Sequence, residues 1–155
     1  MSQILDASSV VHKLKSAAAR TPKREEILSL AAREIRAAGK PYTSVYFYML
    51  HGRELVLEAF EGRPTHHTRI DVGVGVCGTA VATGHDQNVG DVRAVENYLA
   101  CNLMTRSELV ILIRKNGQII GQIDIDSDEP NPFTPDEEQA VRTIAEAIGD
   151  CLPDT

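Results

Sequence analysis

The sequence has only three cysteines in 155 residues and no Cys-x-x-Cys pair. That is too few for the disulfide framework of a small secreted protein. In a reducing compartment it leaves structural thiols, metal ligands or redox catalysts. The five histidines form no HExxH or other zinc spacing, so no metal site is expected. Basic residues are the minority, 16 Lys and Arg against 22 Asp and Glu, giving a formal charge of −6. An acidic surface of this kind argues against non-specific nucleic-acid binding. No apolar run approaches the roughly 18 residues of a membrane span. The opening MSQILDASS has neither a basic start nor an apolar signal core, so a cytoplasmic protein is expected. Internal repeats and low-complexity stretches are missing as well.

What is present is the composition of one soluble globular domain, with 43% hydrophobic and 25% charged residues. Apolar residues at Ile4, Val10, Val11, Leu14 and Ala18 predict an amphipathic helix over 3–19. Thr21-Pro22 reads as a cap and first helical position for a second helix over 22–38, which Gly39 and Pro41 end. Strands follow at 42–50 and 54–60, with a turn at His51-Gly52, and a short one at 67–72. Residues 77–83 read as a short helix closed by Gly84, and 87–89 as a strand. The stretch 90–107 reads as an irregular loop, long enough to suggest function. Lys115-Asn116-Gly117 joins strands at 109–114 and 118–127, because Asn-Gly between apolar runs favours a hairpin. Thr134, Pro135 and Glu137 have the spacing of a capped last helix, with Asp136, Glu137 and Glu138 as charges that favour its start. The order implies an α+β domain: an antiparallel sheet with terminal helices on one face and a pocket on the other.

The chemistry concentrates between Val74 and Asp126. Cys77 and Cys101 lie in VGVCGTAVATGHDQNVGDVRAVENYLAC, and Glu108, Asp124 and Asp126 follow in SELV and IDID. Asp124 and Asp126 are two apart on a strand, so they share a face, while Ile123 and Ile125 point to the core. If Glu108 on the neighbouring strand joins them, three carboxylates crowd together, and crowding with burial raises at least one pKa. A carboxyl kept protonated in this way can donate a proton, and an ionised one can attract an ammonium group. The same carboxylates disfavour a thiolate, so one would need Arg106 or backbone N–H groups in compensation. The plain alternatives are inert buried thiols, a solvated strand face for the two aspartates, and a surface position for Glu108. Cys151 reads as a packing residue, His66 and His67 as exposed loop residues, and Gly73, Gly75 and Gly78 as turn formers, not a nucleotide loop.

Taken in order, RIDVGVGVCGTAVATG (69–84), DV (91–92), LAC (99–101), SELV (107–110), IIGQIDIDS (119–127) and FTPDEE (133–138) resemble the free methionine-R-sulfoxide reductases, which are stand-alone GAF domains. The resemblance covers 42–152. It implies a single GAF-like domain over 1–155, with N-terminal helices in 1–38 and a core over 42–152. It also implies reduction of free methionine-R-sulfoxide, with Cys101 attacking, Cys77 resolving, and Glu108, Asp124 and Asp126 meeting the substrate. It implies no cofactor, an external dithiol such as thioredoxin as reductant, and a homodimer formed through residues 3–38 and 135–151. The sequence departs from the pattern twice: His67 stands near the place of a further cysteine, and Ser44 near that of a tryptophan, which the chain lacks altogether. The reading from a different class is a GAF module that binds a small molecule without turning it over.

Overall fold

Helix starts and turn residues set the element boundaries of the computed structural model, which describes residues 4–20, 23–94 and 104–153. Helix α1 spans Ala7–Arg20. It starts later than its apolar spacing suggests, because the Asp6 carboxylate accepts the Ser9 N–H at 3.1 Å and caps it there. Ile4 therefore precedes the helix and is exposed, while Leu5 is buried in its stead. Helix α2 spans Arg24–Arg36 and follows Lys23, which makes no side-chain cap. The cap expected at Thr21-Pro22 lies outside the described residues. Glu25 and Glu26 in the first turn and Arg33 and Arg36 in the last match the helix dipole.

Strands β1 (Ser44–His51) and β2 (Glu54–Glu61) form a hairpin, and β3 (Arg69–Asp71) adds to β2. Helix α3 (Gly75–Thr83) ends at Gly84 in the left-handed region, and β4 (Gln87–Val89) follows. A single 3-10 turn occupies Val92–Ala94. Strands β5 (Ser107–Lys115) and β6 (Gln118–Ser127) form the second hairpin. Asn116 and Gly117 both have positive φ, 54° and 79°, as the two-residue turn requires. Helix α4 spans Pro135–Cys151, with the Thr134 hydroxyl accepting the Glu137 N–H. No basic residue lies in its last turn, and the Lys115 ammonium from the β5–β6 turn donates instead to the Gly149 and Leu152 carbonyls at 3.1 and 2.9 Å.

The sheet order is β3-β2-β1-β6-β5-β4, every pairing antiparallel. Alternation along the strands gives it two unlike faces. Val45, Phe47, Met49, Leu109, Ile111, Ile113, Ile123 and Ile125 point to one side and pack with α1, α2 and α4. Tyr46, Tyr48, Val110 and Leu112 point to the other and pack with Val76, Cys77 and Ala80 of α3. The expected α+β arrangement, with terminal helices on one face, is the one observed.

One charge on the helix side escaped the sequence reading. Glu137 is 3% exposed and is more than a helix-start charge. Its carboxylate accepts the N–H groups of Ile4 (2.7 Å) and Leu5 (3.2 Å) and the Tyr42 hydroxyl (2.5 Å). It ties the N-terminal segment and the entry to β1 onto the start of α4.

Candidate active site

Helix α3 brings its first turn down onto the sheet because of one close approach. A Cβ on Gly78 would lie 2.5 Å from the Asp71 carbonyl oxygen, so only glycine permits that packing. The Gly73 N–H donates to the Gly78 carbonyl across the same contact. Cys77 is thereby held against β5 and β6, a free thiol with 5% exposure. Its Sγ lies 3.6 Å from Glu108 Oε2, and its carbonyl accepts from Gln122 Nε2 at 3.2 Å.

The acids come from strand register. On β6 the residues of this face are Gln122, Asp124 and Asp126, and Glu108 on β5 pairs directly opposite Asp126. All three acids are buried, at 4% exposure for Glu108, 1% for Asp124 and 3% for Asp126. The solvated-face alternative therefore fails for the aspartates, and Glu108 is no surface residue. Sγ of Cys77 and one carboxylate oxygen each of Glu108 and Asp124 lie within 4.8 Å of one another. Cys77 of α3 and Glu108, Asp124 and Asp126 of the sheet are thus brought to one face. Cys101 lies outside the described residues.

The electrostatics follow from burial. Both carboxylate oxygens of Asp124 and Oδ1 of Asp126 are enclosed with no well-formed hydrogen bond. Burial raises the pKa of Asp124 above the ordinary carboxyl range, while the nearby Glu108 and the Cys77 thiol draw it partly back. Asp126 is pushed well above that range by burial, then by the charges of Asp124 and Asp128, against the pull of Arg63. Cys77 is pushed well above the usual thiol range by burial, then by Asp124 and Glu108. Burial therefore favours the protonated form of both aspartates and of the Cys77 thiol.

Arg106, one candidate for balancing a thiolate, has its guanidinium 3.8 Å from Asp91, and its backbone N–H donates to Ser127. The rim of the site involves residues that sequence reasoning missed. The Tyr46 hydroxyl donates to the Arg63 carbonyl at 2.6 Å and that of Tyr48 to the His67 carbonyl at 2.7 Å, which fixes the loop after β2 over this face. The Arg63 guanidinium makes two bonds to Asp128, at 2.6 and 2.5 Å. Buried Ser44 accepts the Arg63 N–H, and Gly62 packs directly on it, so loop backbone covers this serine. Alternation in SVYFYML marks Tyr46 and Tyr48 as sharing the face of Asp124, but nothing local shows what their hydroxyls reach. Gln122 carried a stronger signal, two residues before Asp124 on one strand. His66 is exposed and His67 half-buried.

Comparison with known proteins accords with this architecture. The GAF domain family pattern matches residues 23–152, and the chain belongs to that family. It is 39% identical over 109 residues to the free methionine-R-sulfoxide reductase of Escherichia coli (strain K12), a stretch covering 70% of this chain and 66% of that protein. The type II free methionine-R-sulfoxide reductase of Thermoplasma acidophilum superposes with a TM-score of 0.80 at 35% identity, over 83% of this chain and 91% of the other. The free methionine-R-sulfoxide reductase from Neisseria meningitidis, solved in complex with its substrate, gives a TM-score of 0.87 at 29% identity over 97% of this chain and 90% of the other. Among GAF domains the chain is a member of the free methionine-R-sulfoxide reductase family of oxidoreductases. No helix among the described residues is long and apolar enough to cross a membrane.

Proposed function

We propose that the protein reduces free methionine-R-sulfoxide to methionine at the pocket formed by Cys77, Glu108, Asp124 and Asp126. The observation that carries this reading is the pair of buried aspartates with unpartnered oxygens beside a buried thiol. An acid in that position is unsatisfied until a ligand supplies a donor or takes its proton. A zwitterionic sulfoxide does both: its ammonium group donates to an ionised carboxylate, and its S–O oxygen accepts from a protonated one.

In the proposed sequence the Cys101 thiolate attacks the sulfoxide sulfur while Asp124 or Asp126 protonates the oxygen. The protonated oxygen then transfers from the substrate sulfur to the Cys101 sulfur as the substrate S–O bond and the transient Cys101 sulfur–substrate sulfur bond break, so methionine leaves and Cys101 is left as a sulfenic acid. The Cys77 sulfur then displaces the hydroxyl, its proton leaving with it as water, and a Cys77–Cys101 disulfide results. A thiol that rests protonated suits this second role better than the first. An external dithiol, thioredoxin or one of that kind, gives two electrons and two protons to this disulfide, returns both sulfurs to thiols and leaves as its own disulfide.

This reading takes 1–155 as one GAF-like domain, the cytoplasm as its compartment, and a homodimer through the terminal helices as its assembly. Light scattering tests the last point. The reaction itself is tested by supplying each epimer of free methionine sulfoxide with a dithiol. Turnover of the R epimer alone, abolished in Cys101→Ser, is expected. Tight binding of methionine sulfoxide without turnover by the wild type would favour a sensor instead.

A further inference from the structure

The same buried cluster also has the make-up of a metal site. We propose that Cys77, Glu108 and Asp124 bind one thiophilic divalent cation of the zinc class, and that its occupancy shuts the pocket to substrate. Three ligand-capable atoms, one sulfur and two carboxylate oxygens, lie within 4.8 Å of one another on three separate elements, all buried. Bond lengths of about 2.3 Å to sulfur and about 2.0–2.2 Å to carboxylate oxygen, at a tetrahedral angle, put the two ligands roughly 3.5–3.7 Å apart. The observed Cys77 Sγ to Glu108 Oε2 separation is 3.6 Å. The second observation is independent of that edge. Asp124 is 1% exposed and both of its oxygens are enclosed without a well-formed hydrogen bond, so a third ligand-capable group is already desolvated. The enclosed Oε1 of Gln122, on the same strand face, is likewise unpartnered.

The donor set selects the ion. A thiolate prefers zinc or cadmium to magnesium or calcium, which favour all-oxygen shells. Two carboxylates and a thiolate in a dry site repel one another, and a dication removes that repulsion while displacing their protons. A cation seated there occupies the oxygens that the sulfoxide needs and ties up the resolving thiol. This blocking effect rests on the reductase reading, whereas the binding does not.

The test is a titration of the reduced chain with Cd²⁺, followed by thiolate-to-metal charge-transfer absorption, and with Zn²⁺ by calorimetry. One equivalent per chain is expected, with no competition from Mg²⁺. Cys77→Ser should lose the absorption band, and Cys101→Ser and Cys151→Ser should keep it. Asp124→Asn and Glu108→Gln, which preserve shape, should each weaken Zn²⁺ binding by roughly a hundredfold with unchanged circular dichroism. A band that survives Cys77→Ser or vanishes in Cys101→Ser, or an affinity unmoved by Asp124→Asn, would overturn the assignment. In the turnover assay Zn²⁺ should inhibit and a chelator restore. If wild type shows no turnover at all, the reductase reading fails while the titration still decides the metal site.

Discussion

Glu137 and Asp124 are both buried acids, and they live in opposite circumstances. Glu137 sits on the helix side at the start of α4, where two backbone N–H groups and the Tyr42 hydroxyl donate to its carboxylate. Asp124 sits on the other face of the sheet, more deeply buried, with both oxygens unpartnered. A buried charge with donors on it joins elements of the fold, and removing it leaves those donors orphaned. A buried carboxyl without well-formed donor contacts costs stability and is pushed toward its protonated form, so its retention calls for a use. The difference separates an acid that holds the molecule together from one kept for a ligand.

The contrast gives paired expectations. Asp124→Asn should lower kcat/KM for methionine-R-sulfoxide by roughly 10²–10⁴-fold, the usual worth of a positioned acid. It should leave the denaturation midpoint unchanged or raised. Ile125→Ala, one residue along β6 but facing the helices, should do the reverse. It should cost about 2–5 kcal/mol in urea denaturation through the cavity it leaves, with KM little altered. Glu137→Gln should cost about 1.5–3 kcal/mol, as loss of charged hydrogen bonds does, and should increase proteolysis of the segment before α1. Tyr42→Phe should show the smallest effect, about 1 kcal/mol, because the two backbone donors remain. An Asp124→Asn protein that unfolds as readily as Ile125→Ala would break the distinction between the two faces.

The pH dependence of stability sharpens the comparison. Between the ordinary carboxyl value of 3.8 and the raised values of Asp124 and Asp126, the folded protein binds more protons than the unfolded chain. The contribution of these two groups to stability therefore falls as pH rises across that window. Asp124→Asn removes one such group and relieves the charge on Asp126, so its stability should fall less steeply over the same range in urea titrations.

The two hairpins and their turns were legible in the sequence because alternation and Asn-Gly act locally. The shared face of Asp124 and Asp126 was legible for the same reason, as was the strand at 87–89. Glu137 does stand in the first turn of α4 as read, but its tertiary role was not legible because its partners lie 95 to 133 residues away in the chain and meet it only through the packing of the N-terminal segment, β1 and α4. The Cys77–Glu108–Asp124 grouping left no spacing signal, since its three members reach one point from a helix and two strands. The start of α1 was misplaced because apolar periodicity continues past a cap, and only the Asp6 hydrogen bond settles where helix begins. The proximity of Cys77 and Cys101, which decides whether a disulfide can form, involves a residue outside the described stretch.

The claim on which the rest depends is that burial keeps a carboxyl on the pocket face neutral when the bulk solution is neutral. Infrared difference spectra of wild type against Asp124→Asn and Asp126→Asn, recorded at neutral pH, address it most directly. The expected result is a protonated carboxyl C=O band in wild type that is lost in at least one variant and shifts in deuterium oxide. Ionised carboxylate bands alone, identical in all three proteins, would contradict it.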